Sequence, residues 1–352
     1  MKKLNSVENI NEGNVVILRM DLDLPMMDGQ ILDSSRLIKS IPIIKLLLER
    51  ENKIVIVGHL GRPKNKENNL SLRPIYLELM EILEADCGGD CVKNVFVDDI
   101  KNEEKIKKAI SENEIIFGEN LRFYKEEEDG NTALFSVLKK YATVYVNDAF
   151  AVAHRAAASI MLHREMETYY GLDFVKEVGK IDLILENSAK QNNKGLVVIL
   201  GGVKEDKLKN LGELAKMTDQ ILIGGKLPKL IKTLRPSGTS LDREAKILVA
   251  ELREDGLDLS DEDIEKFKKI IYEAKMIIWA GAMGFYEKGN CKKGTEEIAK
   301  AIAGSNAYKI IAGGDTVASI VNLGLENKID FVCSGGGVML EFLIKGSLPA
   351  WE

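Results

Sequence analysis

The sequence predicts an α/β protein of two domains, each a parallel sheet wrapped by crossover helices, with a long helix between them. A chain of 352 residues exceeds what one hydrophobic core usually fills, so two domains are expected. Short β-branched runs recur, each followed by a turn and a helical pattern, which marks parallel strands joined by helices. From Gly195 onward the style changes, and each strand ends in glycines.

Taken in order, the strands of the first half are VVILRMD, KIVIVGHLG, EIIFGENL and TVYVNDAF. The first continues as VILRMDLDLPMMDG from Val16, with charge at alternate positions. In an extended chain Arg19, Asp21 and Asp23 share one face, while Met20, Leu22 and Leu24 share the other. Unpaired charge is expensive to bury, so the polar face must meet water or a site that pairs it. Asp28-Gly29 then supplies a turn. The stretch GLDFVKEVGKIDLILENSAKQNNKG is a long amphipathic helical pattern closed by polar residues and a glycine, as an interdomain helix requires. In the second half GLVVILGG, QILIGG, MIIWAGAMG, KIIAGGDT and DFVCSGGG form the second sheet. The charge runs KNEEKIKKAISENE and DEDIEKFKKIIYEAK read as solvated helix faces.

Composition narrows the function. With 45% hydrophobic and 30% charged residues, the chain is globular rather than disordered. Its 49 Lys and Arg against 55 Asp and Glu leave a net charge of −6, which argues against nucleic acid as the main partner. No apolar run approaches the roughly eighteen residues of a membrane span, and MKKLNSVENINEG turns polar straight after its lysines, unlike a signal peptide. A cytoplasmic protein is expected. Cys87, Cys91, Cys291 and Cys333 lack a close second pair of Cys or His, so reduced thiols are favoured over a zinc site.

Ligands of open parallel sheets bind beyond the carboxyl ends of the strands. In the first half those positions are cationic: His59 and Arg62 after KIVIV, Arg122 after EIIFGEN, Arg155 after TVYVNDAF, and Arg36 after the opening strand and its turn. Arginine's planar fork pairs with carboxylate and phosphate, so the cluster points to a small, multiply anionic ligand, with Asp21 and Asp23 orienting the arginines or accepting from a ligand hydroxyl. In the second half, glycines at strand ends let backbone N–H groups approach phosphate. Lys204 and Lys207 follow Gly201-Gly202, Asp315 and Thr316 open a helix after Gly313-Gly314, and Gly335, Gly336 and Gly337 open another. A nucleotide with Mg2+ suits this pattern, Asp315 holding the metal or its water. Neither GxxxxGK[ST] nor GxGxxG occurs, which removes the common ATPase fingerprint and argues against a dinucleotide-dependent dehydrogenase.

The stretches RMDLDLP, GHLGRP, SLRP, ENLRFYKEEE, VNDAFAVAHRAAAS, ILGGVKEDK, ILIGG, IIWAGAMGFYE, AGGDT, SGGGVMLEFL and SLPAW, in this order, resemble the phosphoglycerate kinase family along essentially the whole chain. The resemblance implies two doubly wound, Rossmann-like domains joined by a hinge helix. Residues 1–170 would bind phosphoglycerate, 171–192 form the helix, 193–337 bind nucleotide, and 338–352 return to the first domain. It implies reversible, Mg2+-dependent phosphoryl transfer between 1,3-bisphosphoglycerate and ADP, giving 3-phosphoglycerate and ATP, by a monomer that closes on its hinge. Asp21, Asp23, Arg36, His59, Arg62, Arg122 and Arg155 fall on the family's phosphoglycerate positions. Gly201, Gly202, Lys204, Lys207, Gly225, Glu287, Gly313, Gly314, Asp315 and Thr316 fall on nucleotide positions, Asp315 being the metal's. The catalytic assignments go to Arg36, Lys204, Gly314 and Gly337. The chain departs from the family pattern at Asp23 for asparagine, Gly58 for serine and Ala157 for histidine. It departs further at Lys226 for a glycine, at Ala280 and Ala282 within the usual WNGP, at Cys333-Ser334 for Ser-Thr, and in short GGVKEDK and 226–275 segments. These predict altered adenine and ribose recognition around retained phosphate-handling residues. The alternative is a non-catalytic relative that binds phosphoglycerate or nucleotide.

Overall fold

The computed structural model describes residues 4–86, 92–190, 194–203, 205–234, 246–286 and 288–352. Two compact units divide the chain: Met1–Val178 with Ser347–Glu352, and Gly179–Gly346.

The first unit contains β1 (Val15–Met20), β2 (Met26–Met27), β3 (Gln30–Ile31), α1 (Ser35–Glu49), β4 (Lys53–Val57), α2 (Arg73–Asp86), β5 (Asn94–Val97), α3 (Glu103–Glu112), β6 (Ile115–Gly118), α4 (Lys125–Glu128), β7 (Val144–Asp148), α5 (Ala158–Met161), β8 (Glu167–Tyr170) and the start of α6 (Leu172–Lys190). Six parallel strands run in the order β5-β6-β4-β1-β7-β8. The period of two in β1 sorts its side chains between two cores. Val16, Leu18, Met20, Leu22 and Leu24 pack with Leu37, Ile41 and Ile44 of α1 and Leu79 and Leu83 of α2. Ile17 packs with Val55, Ile116, Tyr145, Leu134 and Phe135 on the other face. Both faces of the sheet are thus covered, as parallel sheets require. The face of Ile17 continues as Arg19, a cation with only 1% of its surface exposed. The strand ends at Met20, so Asp21 and Asp23 stand on the loop beyond it.

The chain switches sides at β1, going to β4, β5 and β6 on one hand and to β7 and β8 on the other. Such a reversal opens a crevice at the carboxyl ends of the strands. The end of β7 also starts α6: Asp148 Oδ1 accepts from the Phe174 amide at 3.1 Å, one of the orphan donors of the helix's first turn. Phe174 stacks edge-on against Trp351 at 5.7 Å, Ala350 donates its amide to the Ala153 carbonyl, and Tyr170 donates its hydroxyl to the Ala350 carbonyl. These contacts hold the last six residues in this unit.

Burial pushes the Asp148 carboxyl up to about 8, the nearby Asp173 and Glu177 adding to the shift and the Phe174 amide opposing it. A folded-state pKa above the unfolded value contributes stability that is fully present below about pH 4 and is lost as pH rises through about 8. The melting temperature of Asp148→Asn should therefore fall less steeply between pH 5 and 8 than that of the native protein. Parallel slopes for the two proteins would show that Asp148 does not titrate in this window.

The second unit contains the rest of α6, then β9 (Leu196–Leu200), α7 (Leu211–Met217), β10 (Gln220–Ile223), α8 (Leu227–Leu234), β11 (Ile247–Val249), α9 (Asp261–Glu273), β12 (Met276–Ala280), α10 (Lys293–Gly304), β13 (Tyr308–Ala312), α11 (Gly314–Asn322), β14 (Phe331–Cys333) and α12 (Gly336–Lys345). Its strands are also all parallel, in the order β11-β10-β9-β12-β13-β14, with the reversal between β9 and β12. Val197, Ile199, Ile277 and Trp279 pack with Ile298 and Ile302 of α10 on one face. No helix among the described residues is long and apolar enough to cross a membrane.

Candidate active site

In the first unit the loops after β1, β4, β6 and β7 and the first turn of α1 bring the cations together. Arg36 stands in the first turn of α1, which carries no acidic residue. A cation there opposes the helix dipole, a local cost typical of a position chosen for something other than the helix. Its Nη1 donates to the Asp23 carbonyl at 2.7 Å and lies 3.2 Å from Asp21 Oδ2. Burial raises the Asp21 carboxyl and Arg36 is the strongest influence pulling it back. Asp23 Oδ1 accepts the Gly61 amide at 2.8 Å, and its Oδ2 lies 3.8 Å from His59 Nε2. The two aspartates therefore order the loop, one holding an arginine and the other the glycine turn after β4.

His59 is buried, and burial together with the charges of Arg19, Arg122, Arg155 and Arg36 pushes its pKa far down, so the imidazole is neutral. Arg122 donates Nη1 to the Gly61 carbonyl, and its own amide is accepted by Asn120 Oδ1 at 3.0 Å. Asn120 also clasps Leu60, accepting its amide and donating to its carbonyl. The buried Glu119 accepts from the Leu72 amide and the Ser71 hydroxyl, tying the end of β6 to α2. Arg62 and Arg155 are exposed. A cavity of about 370 Å³ opens beside His59, lined by Arg19, His59, Arg122, Glu127, Glu128 and Arg155, with Val152, Ala156 and Ala157 closing it; of the expected site residues, Asp21, Asp23, Arg36 and Arg62 stand outside its lining.

Sequence reasoning assigned no role to Arg19, Ser159 or Glu127. Arg19 Nε donates to Ser159 Oγ at 3.1 Å, and Ser159 Oγ donates to Glu127 Oε1 at 2.5 Å. The charge on the opening strand was the available signal for Arg19; nothing local identifies Ser159 or Glu127.

In the second unit the glycines divide into two kinds. Gly201 donates its amide to the Ala280 carbonyl, Gly202 to Ala282 and Gly225 to Met283, at 2.7 to 3.0 Å. A Cβ on Gly201 would lie 2.2 Å from the Ala282 oxygen, and one on Gly225 would lie 2.6 Å from the Gly202 nitrogen. These glycines knit the loops after β9, β10 and β12 into one layer. Lys207 Nζ donates to the carbonyls of Gly201 and Ala280, both at 2.8 Å, and so sits at the reversal of the sheet. Gly281 donates its amide to Thr316 Oγ1 at 2.7 Å, which ties the start of α11 to the same layer.

The second kind opens helices. Gly313 precedes α11 with φ +98°, and Gly314, Gly336 and Gly337 lie in the first turns of α11 and α12. The amides of a first turn have no partner within their helix, which suits them to phosphate oxygens. Asp315 is exposed in the first turn of α11. Among the described residues no group of three or more His, Cys, Asp or Glu is arranged to hold a metal. One carboxylate beside free helix amides fits a Mg2+ ion that takes its other ligands from phosphate and water, rather than a protein cage. Lys226 Nζ lies 5.0 Å over the Phe285 ring. Lys204 and Glu287 lie outside the described residues, as do Cys87 and Cys91.

A family model described as phosphoglycerate kinase matches residues 7–235 and 239–346. The phosphoglycerate kinase of Akkermansia muciniphila is 31% identical, the alignment covering 99% of this chain and 97% of that protein. That of Dictyoglomus turgidum is 33% identical over 96% of this chain and 94% of its own. The solved structure of phosphoglycerate kinase from Coxiella burnetii is similar with a TM-score of 0.78 at 28% identity, covering 99% of this chain and 98% of that one.

Proposed function

The chain belongs to the phosphoglycerate kinase family, and on that footing we propose how its residues divide the work. The reaction is reversible phosphoryl transfer between the acyl phosphate of 1,3-bisphosphoglycerate and ADP, giving 3-phosphoglycerate and ATP. A non-catalytic binding protein is the less favoured reading, because the curated relatives matched along nearly the whole chain are named as kinases.

The first unit binds 3-phosphoglycerate. Arg62, Arg122 and Arg155 neutralise its phosphate and carboxylate, and neutral His59 donates a hydrogen bond to it. Arg36, held by Asp21 and the Asp23 carbonyl, stabilises charge on the phosphoryl group as it transfers. The nucleophile is the substrate's own carboxylate, which is ionised near neutral pH, so no side chain need act as a base. The second unit binds the nucleotide, its phosphates on the first turns of α11 and α12. Asp315 holds Mg2+, whose charge supplements the helix amides in offsetting the phosphate oxygens. Lys207 and the interlocked glycines give that wall its shape. We further propose a cytoplasmic monomer acting on small molecules; the net charge of −6 argues against nucleic acid as its main partner.

The observation that carries this reading is the convergence of Arg19, His59, Arg122 and Arg155 on one cavity of about 370 Å³ at the switch point of the first sheet. Steady-state turnover of purified protein with 3-phosphoglycerate and Mg-ATP is the test, with GTP in parallel to measure base preference. Turnover should appear with ATP, vanish on chelation by EDTA and return with Mg2+. A folded protein that binds 3-phosphoglycerate yet turns over neither nucleotide would revive the binding-protein reading.

A further inference from the structure

Arg19 Nη2 lies 2.7 Å from His59 Nδ1, and both side chains are buried. A guanidinium carries five N–H donors, accepts nothing and keeps its proton. The contact is a hydrogen bond only when Nδ1 offers its lone pair, which leaves the one proton of the neutral ring on Nε2. Arg19 cannot turn away from His59, because Nε is bonded to Ser159 Oγ and Nη1 donates to the Met20 carbonyl. Ser159 in turn gives its hydroxyl proton to Glu127 Oε1, and Glu127 Oε2 accepts the Ser159 amide at 2.9 Å. The donors run one way, from Arg19 through Ser159 to a carboxylate only 3% exposed, so the buried cation has its counter-charge one hydroxyl away.

We infer that Arg19 is a positioning residue that fixes His59 as the Nε2–H tautomer, so that the ring presents a neutral donor to an anionic oxygen in the cavity. The inference rests on the reading of that cavity as the 3-phosphoglycerate site. Groups facing His59 come from every neighbouring element: Arg19 from β1, Asp23 from the loop beyond it, Arg36 from α1, Arg122 after β6 and Arg155 after β7. Glu127 and Glu128 also line the cavity, but the four arginines are the charges that act most strongly on this ring, and they make a further proton on it unfavourable. Taking one up at Nδ1 would also break the bond to Arg19. The ring therefore holds one tautomer across the neutral range, and its donor reaches the ligand without adding a fifth charge that must be desolvated.

Long-range 1H–15N correlation spectra of the full-length protein labelled at histidine test this directly. Three histidines contribute, and the His59 signals are identified by their loss in His59→Gln. The expected spectrum shows Nδ1 bare and Nε2 protonated, unchanged from pH 5 to 8, with the Nε2 signal shifting when 3-phosphoglycerate is added. In Arg19→Met the ring should become a mixture of tautomers and begin to titrate, and KM for 3-phosphoglycerate should rise about tenfold, more than kcat falls. A wild-type ring protonated at Nδ1 overturns the proposal, and that spectrum decides even if the variant does not fold. A fixed Nε2–H ring that ignores 3-phosphoglycerate, in protein that turns over, overturns the donor role and leaves the activity standing.

Discussion

Arg36→Ala is expected to lower kcat by roughly three orders of magnitude while shifting the melting temperature by only a few degrees. The two effects separate because Arg36 does little for the fold. Its side chain is 39% exposed, and its ion pair with Asp21 at 3.2 Å is of a kind worth about 0–1 kcal/mol. Alanine in the first turn of α1 also removes a cation that opposes the helix dipole, which offsets part of the loss. The half-buried partner is not stranded. Without Arg36 the Asp21 carboxyl, already raised by burial, rises further and can take up a proton instead of holding an unpaired charge. Catalysis has no such escape, because charge developing on the transferring phosphoryl group needs a fixed cation at the moment of transfer. Saturating turnover and a thermal melt of the variant are the measurements. Near-normal kcat in folded protein would remove Arg36 from the mechanism, and a drop of many degrees with proportionate loss of activity would make it a structural residue.

The alternation of charge at the start of the chain shows how far a sequence pattern carries. The period of two correctly separates Leu18, Met20 and Leu22 from Arg19, because side-chain direction in a strand is a local property. The partners of Arg19 are not local. Ser159 is 140 positions away and Glu127 lies on a different helix, so only the tertiary fold brings the three together. The two-domain fold was legible for the same reason as the alternation: strand, turn and helix recur along the chain, and each unit needs only that repetition to build its sheet. The glycines were legible only by position. A glycine after a strand is compatible with a phosphate contact and with close packing of loops, and the sequence does not distinguish them. In the structure the amides of Gly201, Gly202 and Gly225 are given to neighbouring carbonyls, so a nucleotide would meet these glycines through something other than their N–H groups. Lys207 Nζ likewise donates to the carbonyls of Gly201 and Ala280 at the ends of β9 and β12.

That division yields a second large effect. Gly281→Ala should destabilise the second unit by on the order of 3 kcal/mol or more and abolish nucleotide binding. Gly281 has φ +101°, where a side chain is strained, and a Cβ there would stand 2.3 Å from the Gly201 oxygen and 2.5 Å from Lys207 Nζ. The Lys207 ammonium can swing aside at little cost, but the Gly201 carbonyl cannot. Gly201 is bonded to Ala280, Gly202 to Ala282, Trp279 Nε1 to the Gly281 carbonyl, and the Gly281 amide to Thr316. Moving the peptide would loosen the ends of β9 and β12 and the start of α11 together. Gly337→Ala is the contrasting case: apart from its chain neighbours and its own helix backbone, nothing lies within 4 Å of its added Cβ, its φ is ordinary, and alanine favours the first turn of α12 by up to about 1 kcal/mol. That variant should melt no lower than the native protein. If it nevertheless loses turnover, the bare backbone of α12 is needed for phosphate rather than for the fold. Denaturant unfolding and nucleotide-binding calorimetry on both variants separate the two roles, and equal stabilities would mean that the loops around Gly281 yield far more easily than their hydrogen bonds imply.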